Sequence, residues 1–175
     1  ADHLVAEPAS WRRLRADTLP DLDEVYRQML ASVDAEPEPG EVEKGNKIYR
    51  AGFSGPKAVV ALRLAYRNLV LDLAAHDVAA VVEDEPVIWF PDVGLFLADL
   101  ADAALTASLA VAFREVCGDK PIPIRLAVIA MGKCGARELN YVSDVDVVFV
   151  SDPADGVSAR IAGEMMRVGT LAFFE

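Results

Sequence analysis

Asp144 and Asp146 stand two residues apart, followed by the apolar run Val147, Val148, Phe149 and Val150. An extended strand sends residues i and i+2 to the same face, so the two carboxylates would share one side of a sheet. Side by side they repel each other unless something positive lies between them. Hard oxygen ligands suit Mg²⁺, and two such ions roughly 3.5–4 Å apart form the arrangement that clamps a phosphoryl displacement. Just upstream, Gly132-Lys133-Cys134-Gly135 is predicted to be a tight turn. Its glycines let backbone approach a ligand closely, and Lys133 adds a point charge for phosphate. Ser143 can donate a further hydrogen bond. The layout is a phosphate-cradling turn, ten residues from Cys134 to Ser143, then the Asp144-Val145-Asp146 strand.

Each piece has a plainer reading when taken alone. A single Asp-x-Asp on a strand is usually solvated, a Gly-x-x-Gly is usually just a turn, and Lys133 and Arg137 are ordinary surface charges. Together, in this order and after an apolar strand, they point to nucleotidyl transfer. Asp144 and Asp146 are then the catalytic metal ligands. Gly132, Lys133, Gly135 and Ser143 are the nucleotide- and phosphate-binding set.

The elements that must position them are legible in the surrounding pattern. Arg125 to Met131 is a short continuous apolar run with β-branched residues and reads as a buried strand. Ala136 to Asn140 reads as a helical turn and Asp144 to Val150 as a second strand, closed by Asp152-Pro153 and Gly156. Ser158 is expected to cap a helix running through Phe174, with Ile161, Met165, Val168 and Leu171 on one side. Gly163 and Gly169 inside it cost roughly 1 kcal/mol each against Ala and suit close packing.

The first 120 residues read as helical. Residues 2–16 suggest two short helices broken at Pro8, with Ser10 as an N-cap. Asp21 to Val33 has apolar residues at Leu22, Val25, Met29 and Val33, a helical spacing. Residues 34–46 are acidic and rich in Pro and Gly, the composition of a solvated loop. Ser54-Gly55-Pro56 opens a long helix to about Val82, with Leu62, Tyr66, Leu69, Leu73 and Val81 on one face and Glu83 to Pro86 ending it. A second runs from about Asp92 to Val116 and stops at Gly118. The organisation is thus a helical region over 1–120 and the first part of a catalytic core over 121–175, an α+β chain.

The 175 residues suffice for one domain or one plus part of another, and 53% are hydrophobic, which excludes wholesale disorder. The net charge is −11. Residues 1–120 carry 12 basic and 21 acidic side chains, net −9, and residues 121–175 carry 5 and 7, net −2. A nucleic-acid binder held by phosphate contacts would need a basic face instead. The most apolar stretch, Ala103 to Phe113, has 11 residues, short of the roughly 18 that span a bilayer, so no membrane role is expected. The opening has no signal-peptide pattern. Two cysteines without ligand spacing read as reduced thiols in a cytoplasmic protein, and two histidines argue against a Ser-His triad or a His-based zinc site. Starting at Ala1 and stopping inside an expected helix at Glu175, the chain reads as a piece of something longer.

The segment AMGKCGARELNYVSDVDVVFV, Ala130 to Val150, resembles the signature of the glutamine synthetase adenylyltransferase family, whose members both attach and remove adenylyl groups. LRLAYRNLVLDLAAHD and ADHLVAEPASWRRL resemble upstream family segments more weakly. Only residues 125–150 carry the specific motif. The resemblance implies a nucleotidyltransferase core of the DNA polymerase β superfamily, with a small mixed or antiparallel sheet and Mg²⁺ as cofactor. The form ELN-x-x-SD-x-D is more similar to the family's N-terminal domain than to its second. It therefore implies removal of AMP from a tyrosine of adenylylated glutamine synthetase by phosphorolysis, giving ADP, in the control of nitrogen assimilation. Implied partners are glutamine synthetase, phosphate, ADP or ATP, and a PII-type signalling protein as regulator.

The sequence departs from the family at Cys134, Ala136 and Val142, which touches turn details and not the carboxylates. The superfamily also uses a third carboxylate on a later strand, in this family within V-D-x-x-L-R-P, and no such segment occurs here. The core is therefore expected to be C-terminally incomplete and inactive alone, with Glu164 and Glu175 the first substitutes should the third ligand lie within the chain. Two alternatives stand beside this reading: the forward adenylyltransferase using ATP, and a catalytically silent regulatory domain of the same fold.

Overall fold

The computed structural model describes residues 2–15, 18–39, 48–82, 88 and 90–174. Helix α1 (Asp2–Ala6) and a 3₁₀ helix (Pro8–Arg15) meet at Pro8, as the break there predicts. Ser10 does not cap: its hydroxyl donates to Asn68 Oδ1 at 3.0 Å, tying this segment to the long helix beneath it. Arg13 adds a two-nitrogen ion pair to the buried Asp72. Helix α2 (Leu22–Ala31) begins where Asp21 accepts the backbone N–H of Glu24 at 2.8 Å, an N-cap.

Part of the acidic stretch is strand and not loop. Strand β1 (Glu36–Pro37) pairs antiparallel with β2 (Tyr49–Arg50), and residues 40–47 lie outside the described residues. Arg50 is buried, and its guanidinium reaches the Glu38 carboxylate and the carbonyls of Gly118 and Lys120. One cation thus holds this hairpin against the segment that leads into residues 121–175.

Helix α3 (Gly55–Val82) and helix α4 (Phe90–Cys117) form the centre. Leu62, Leu69 and Leu73 of α3 are fully buried as their spacing predicts, whereas Val81 is exposed, so the apolar face ends before the helix does. The acidic stop at Glu83 to Pro86 lies outside the described residues. Helix α4 has 28 residues and is, by length and composition, apolar enough to cross a membrane. This corrects the expectation that no segment reaches that length, because Val93 to Asp102, charged only at Asp99 and Asp102, extends the apolar character of Ala103 to Phe113 towards the N-terminus. In the fold α4 is the core helix, with Leu100, Ala103, Ala107 and Val111 fully buried against α2, α3 and helix α6 (Gly156–Gly169). Each fully buried Leu or Val contributes about 1.5–3 kcal/mol relative to exposure.

Strands β3 (Arg125–Ala130) and β4 (Val147–Asp152) form an antiparallel ladder in which Arg125 faces Asp152 and Ala130 faces Val147. Leu126, Val128 and Phe149 pack on the α4–α6 layer with Ile161 and Met165. The opposite face is open: Ile129 is 47% exposed and Val150 53%. The sequence reading of a strand buried throughout is therefore wrong, since only alternate residues meet the helices. Strand β4 also starts at Val147 and not at Asp144.

Asp155, not Ser158, caps α6. Its carboxylate accepts the N–H groups of Val157 and Ser158, both at 2.9 Å, while the Ser158 hydroxyl donates to Pro153 O and Asp155 Oδ1. Ile161, Met165 and Val168 are buried, and the helix runs on into a π-turn, Thr170–Phe174. A Cβ on Gly169 would make only ordinary contacts, 3.9 Å from Ser108 Oγ, and nothing lies within 4 Å of one on Gly163, so close packing requires neither glycine. The backbone bonds to Asp155 lower its pKa. A depressed folded pKa stabilises the fold above the unfolded value and is lost as pH falls through the folded one. Asp155→Ala is therefore expected to lower the melting midpoint at neutral pH and to converge with wild type on the acid limb. A constant difference at all pH values would exclude the cap as its source.

Candidate active site

After β3 the chain turns through a single helical turn, α5 (Gly132–Gly135), whose bounds show the helical residues to be Gly132–Gly135 and not Ala136–Asn140. Two glycines make it possible. Gly132 has φ +53, and a Cβ there would lie 3.1 Å from Asp146 Oδ2. A Cβ on Gly135 would lie 2.5 Å from the Ala130 carbonyl oxygen. The turn closes as a Schellman motif: Arg137 N–H donates to Cys134 O at 3.1 Å and Glu138 N–H to Lys133 O at 2.9 Å. The left-handed residue of that motif is Arg137, φ 59, where glycine is usual. Cys134 and Leu139 anchor the turn in a cluster with Leu73, Val93, Leu97, Ala98 and Ala101.

Asp144 and Asp146 sit in the extended lead-in to β4. Met131 N–H donates to Asp146 O at 2.8 Å, which continues the β3–β4 register by one pair. Exposure alternates from Asp144 to Asp152, with Val145 and Val147 turned inward, so both carboxylates lie on the open face of the sheet. Lys133 is exposed at the turn, and neither it nor the two aspartates has an ion-pair partner among the described residues. The Ser143 hydroxyl is already engaged: it donates to Asn140 Oδ1 at 2.9 Å and accepts from Asn140 N–H at 3.0 Å. Asn140 Oδ1 also takes Val142 N–H, so Asn140 and Ser143 close the loop that delivers the carboxylates.

Three neighbours escaped the sequence reading. Arg137 is not a free surface charge; its guanidinium pairs with Asp99 and, at 3.4 Å, with Asp102 of α4. Gly94 of α4 lets the 137–139 backbone lie directly on the helix, since a Cβ there would meet Leu139 O at 3.3 Å. Tyr141 donates to Asp77 Oδ2 at 3.4 Å, and burial together with that carboxylate pushes its pKa to about 12, so it stays a phenol. Burial, reinforced by Asp102 and Asp146, also raises the pKa of the Cys134 thiol, which disfavours the thiolate.

Among the described residues no group of three His, Cys, Asp or Glu side chains is placed to hold a metal. Glu164 is committed elsewhere, giving both carboxylate oxygens to Arg167, and Glu175 lies outside the described residues. The two aspartates nevertheless fit a hard divalent cation. Both offer oxygen donors on one face, no described cation neutralises them, and glycine at 132 leaves room against Asp146.

A sequence model of the family described as glutamate-ammonia ligase adenylyltransferase matches residues 26–168. The chain belongs to this family. It is 62% identical over 174 residues to the bifunctional glutamine synthetase adenylyltransferase/adenylyl-removing enzyme of Nocardia farcinica, covering 99% of this chain and 17% of that protein. The protein of the same description from Mycobacterium bovis is 54% identical over 175 residues, with 99% and 16% covered. That from Corynebacterium glutamicum is 45% identical over 193 residues, with 99% and 18% covered. The chain thus spans about a sixth of the length of these relatives. No solved structure matches it. The architecture is α+β, mostly helical with two small antiparallel sheets, and this family belongs to the nucleotidyltransferase superfamily.

Proposed function

We propose that this chain carries part of the centre that removes AMP from an adenylylated tyrosine of glutamine synthetase, in a cytoplasmic enzyme under the control of a PII-type signalling protein. The observation that supports it most is the placement of Asp144 and Asp146 on one open face beside the Gly132–Gly135 turn. In the reaction an oxygen of inorganic phosphate bonds to the AMP phosphorus, the bond to the tyrosine oxygen breaks, and ADP leaves. The released phenolate takes a proton. Asp144 and Asp146 would hold Mg²⁺, which when bound supplies neutralisation of phosphoryl charge. Lys133, exposed on the turn, would meet the same charge, and the first N–H groups of the turn have no carbonyl to reach within it. Asn140 and Ser143 keep the aspartate lead-in in place. No protein nucleophile is needed; positioning and electrostatics carry the step.

The direction is tested in the full-length parent by supplying adenylylated or unmodified glutamine synthetase. Phosphate-dependent ADP formation lost on inactivating Asp146 supports removal by this domain. Loss of ATP-dependent attachment alone would assign the forward reaction, and loss of neither would assign a silent domain.

Lys133→Ala is expected to raise the phosphate concentration needed for half-maximal rate while leaving Mg²⁺ dependence nearly unchanged. A lysine is a compact charge suited to phosphate, whereas the cation depends on carboxylates. Steady-state titration of phosphate checks it. A lysine that merely decorates the surface would shift stability by less than about 0.5 kcal/mol and leave kinetics alone.

A further inference from the structure

We infer that Arg137 is a positioning residue, clamping the Gly132–Gly135 turn to helix α4 through Asp99 and Asp102 so that Lys133 is held ready for phosphate. The inference rests on the reading of that turn as the phosphate-facing part of the site.

Three independent features converge on Arg137. Its backbone is left-handed, φ 59, at the position of the Schellman motif where glycine is free of strain. A non-glycine residue there works against the local backbone preference, so its side chain must compensate or be an accident. The side chain is only partly exposed and reaches two carboxylates one helical turn apart on α4, Asp99 and Asp102. A planar fork can bridge two such acceptors; a lysine ammonium cannot hold both with the same geometry. Finally, Gly94 of the same helix admits the 137–139 backbone, with Arg137 O 3.5 Å from where a Cβ would be. The fork and the glycine therefore fix one short segment against α4 from two sides. That segment donates Glu138 N–H to Lys133 O, which passes the constraint to the lysine.

A partly exposed ion pair adds little stability by itself, so the expected signature is kinetic. Arg137→Gly removes the fork and relieves the left-handed backbone at once, so the melting midpoint of the full-length parent should not fall. In whichever direction Asp146→Asn abolishes, KM for inorganic phosphate or ATP should rise about tenfold while kcat changes less than about threefold. Arg137→Lys should give an intermediate KM. Asp99→Asn combined with Asp102→Asn should raise KM as well, and adding both to Arg137→Gly should raise it no further, because the three groups act as one contact. An unchanged KM in Arg137→Gly, or fully additive effects of the helix and turn substitutions, would overturn the clamp. Full activity of Asp146→Asn in both directions would instead overturn the reading of the site, whatever Arg137→Gly does.

Discussion

Asp146→Asn in the full-length parent should cut AMP transfer by about 10² or more, with the fold intact. Losing one anionic ligand weakens a divalent-cation site and its charge stabilisation by several kcal/mol, and each 1.36 kcal/mol is tenfold in rate. The fold should survive because the ladder uses the main chain here: Met131 N–H donates to the Asp146 carbonyl, which the substitution leaves alone. Asn is also nearly isosteric, so its side chain still fits beside Gly132. Asp144→Asn should behave alike, since it occupies the same open face. Ser143→Ala should cost less in rate, because its hydroxyl serves the Asn140 loop through neutral hydrogen bonds worth roughly 0.5–1.5 kcal/mol each. Rates of phosphate-dependent ADP formation and of AMP attachment, with circular dichroism as the fold control, check all three. Near-normal rates in both directions for either aspartate variant would sink the assignment.

Local signals carried far into this fold, and long-range ones did not. The two long helices are legible because their punctuation is chemical: Pro56 in the first turn of one and Gly118 just after the last turn of the other. Ser158 does not cap, because Asp155 three residues earlier offers a better acceptor and the serine hydroxyl turns to Pro153 O. The apolar run of β3 overstated burial, since composition cannot tell a strand covered on both faces from one covered on a single face. The paired aspartates and the two-glycine turn could be seen in sequence because their spacing is short. Arg137 could not: Asp99 and Asp102 lie 38 and 35 residues away, and nothing in the local pattern names them.

The glycines of the turn set a second large effect, and they differ in a testable way. Gly135→Ala would place a Cβ 2.5 Å from the Ala130 carbonyl oxygen and 3.0 Å from its carbon. Those are backbone atoms at the end of β3, so neither can swing aside as a side chain could. The turn must move off the strand, which strains the core contacts of Cys134 and displaces Lys133. The expected cost is about 1–3 kcal/mol of stability, as for overpacking elsewhere. The rate should fall further than that loss of folded enzyme explains, because a misplacement of about 1 Å can cost 10² in rate. Gly132→Ala differs in kind: its strain comes from φ +53, roughly 1–2 kcal/mol, and its nearest neighbour at 3.1 Å is the movable Asp146 carboxylate. It should therefore disturb Mg²⁺ dependence as well as stability. Gly163→Ala supplies the contrast, since nothing lies within 4 Å and α6 should gain about 0.5–1 kcal/mol. Melting midpoints and Mg²⁺ titrations of the three variants in the parent separate these effects. If Gly135→Ala matched Gly163→Ala in both, the close approach of the turn to β3 would be wrong, and with it the placement of Lys133.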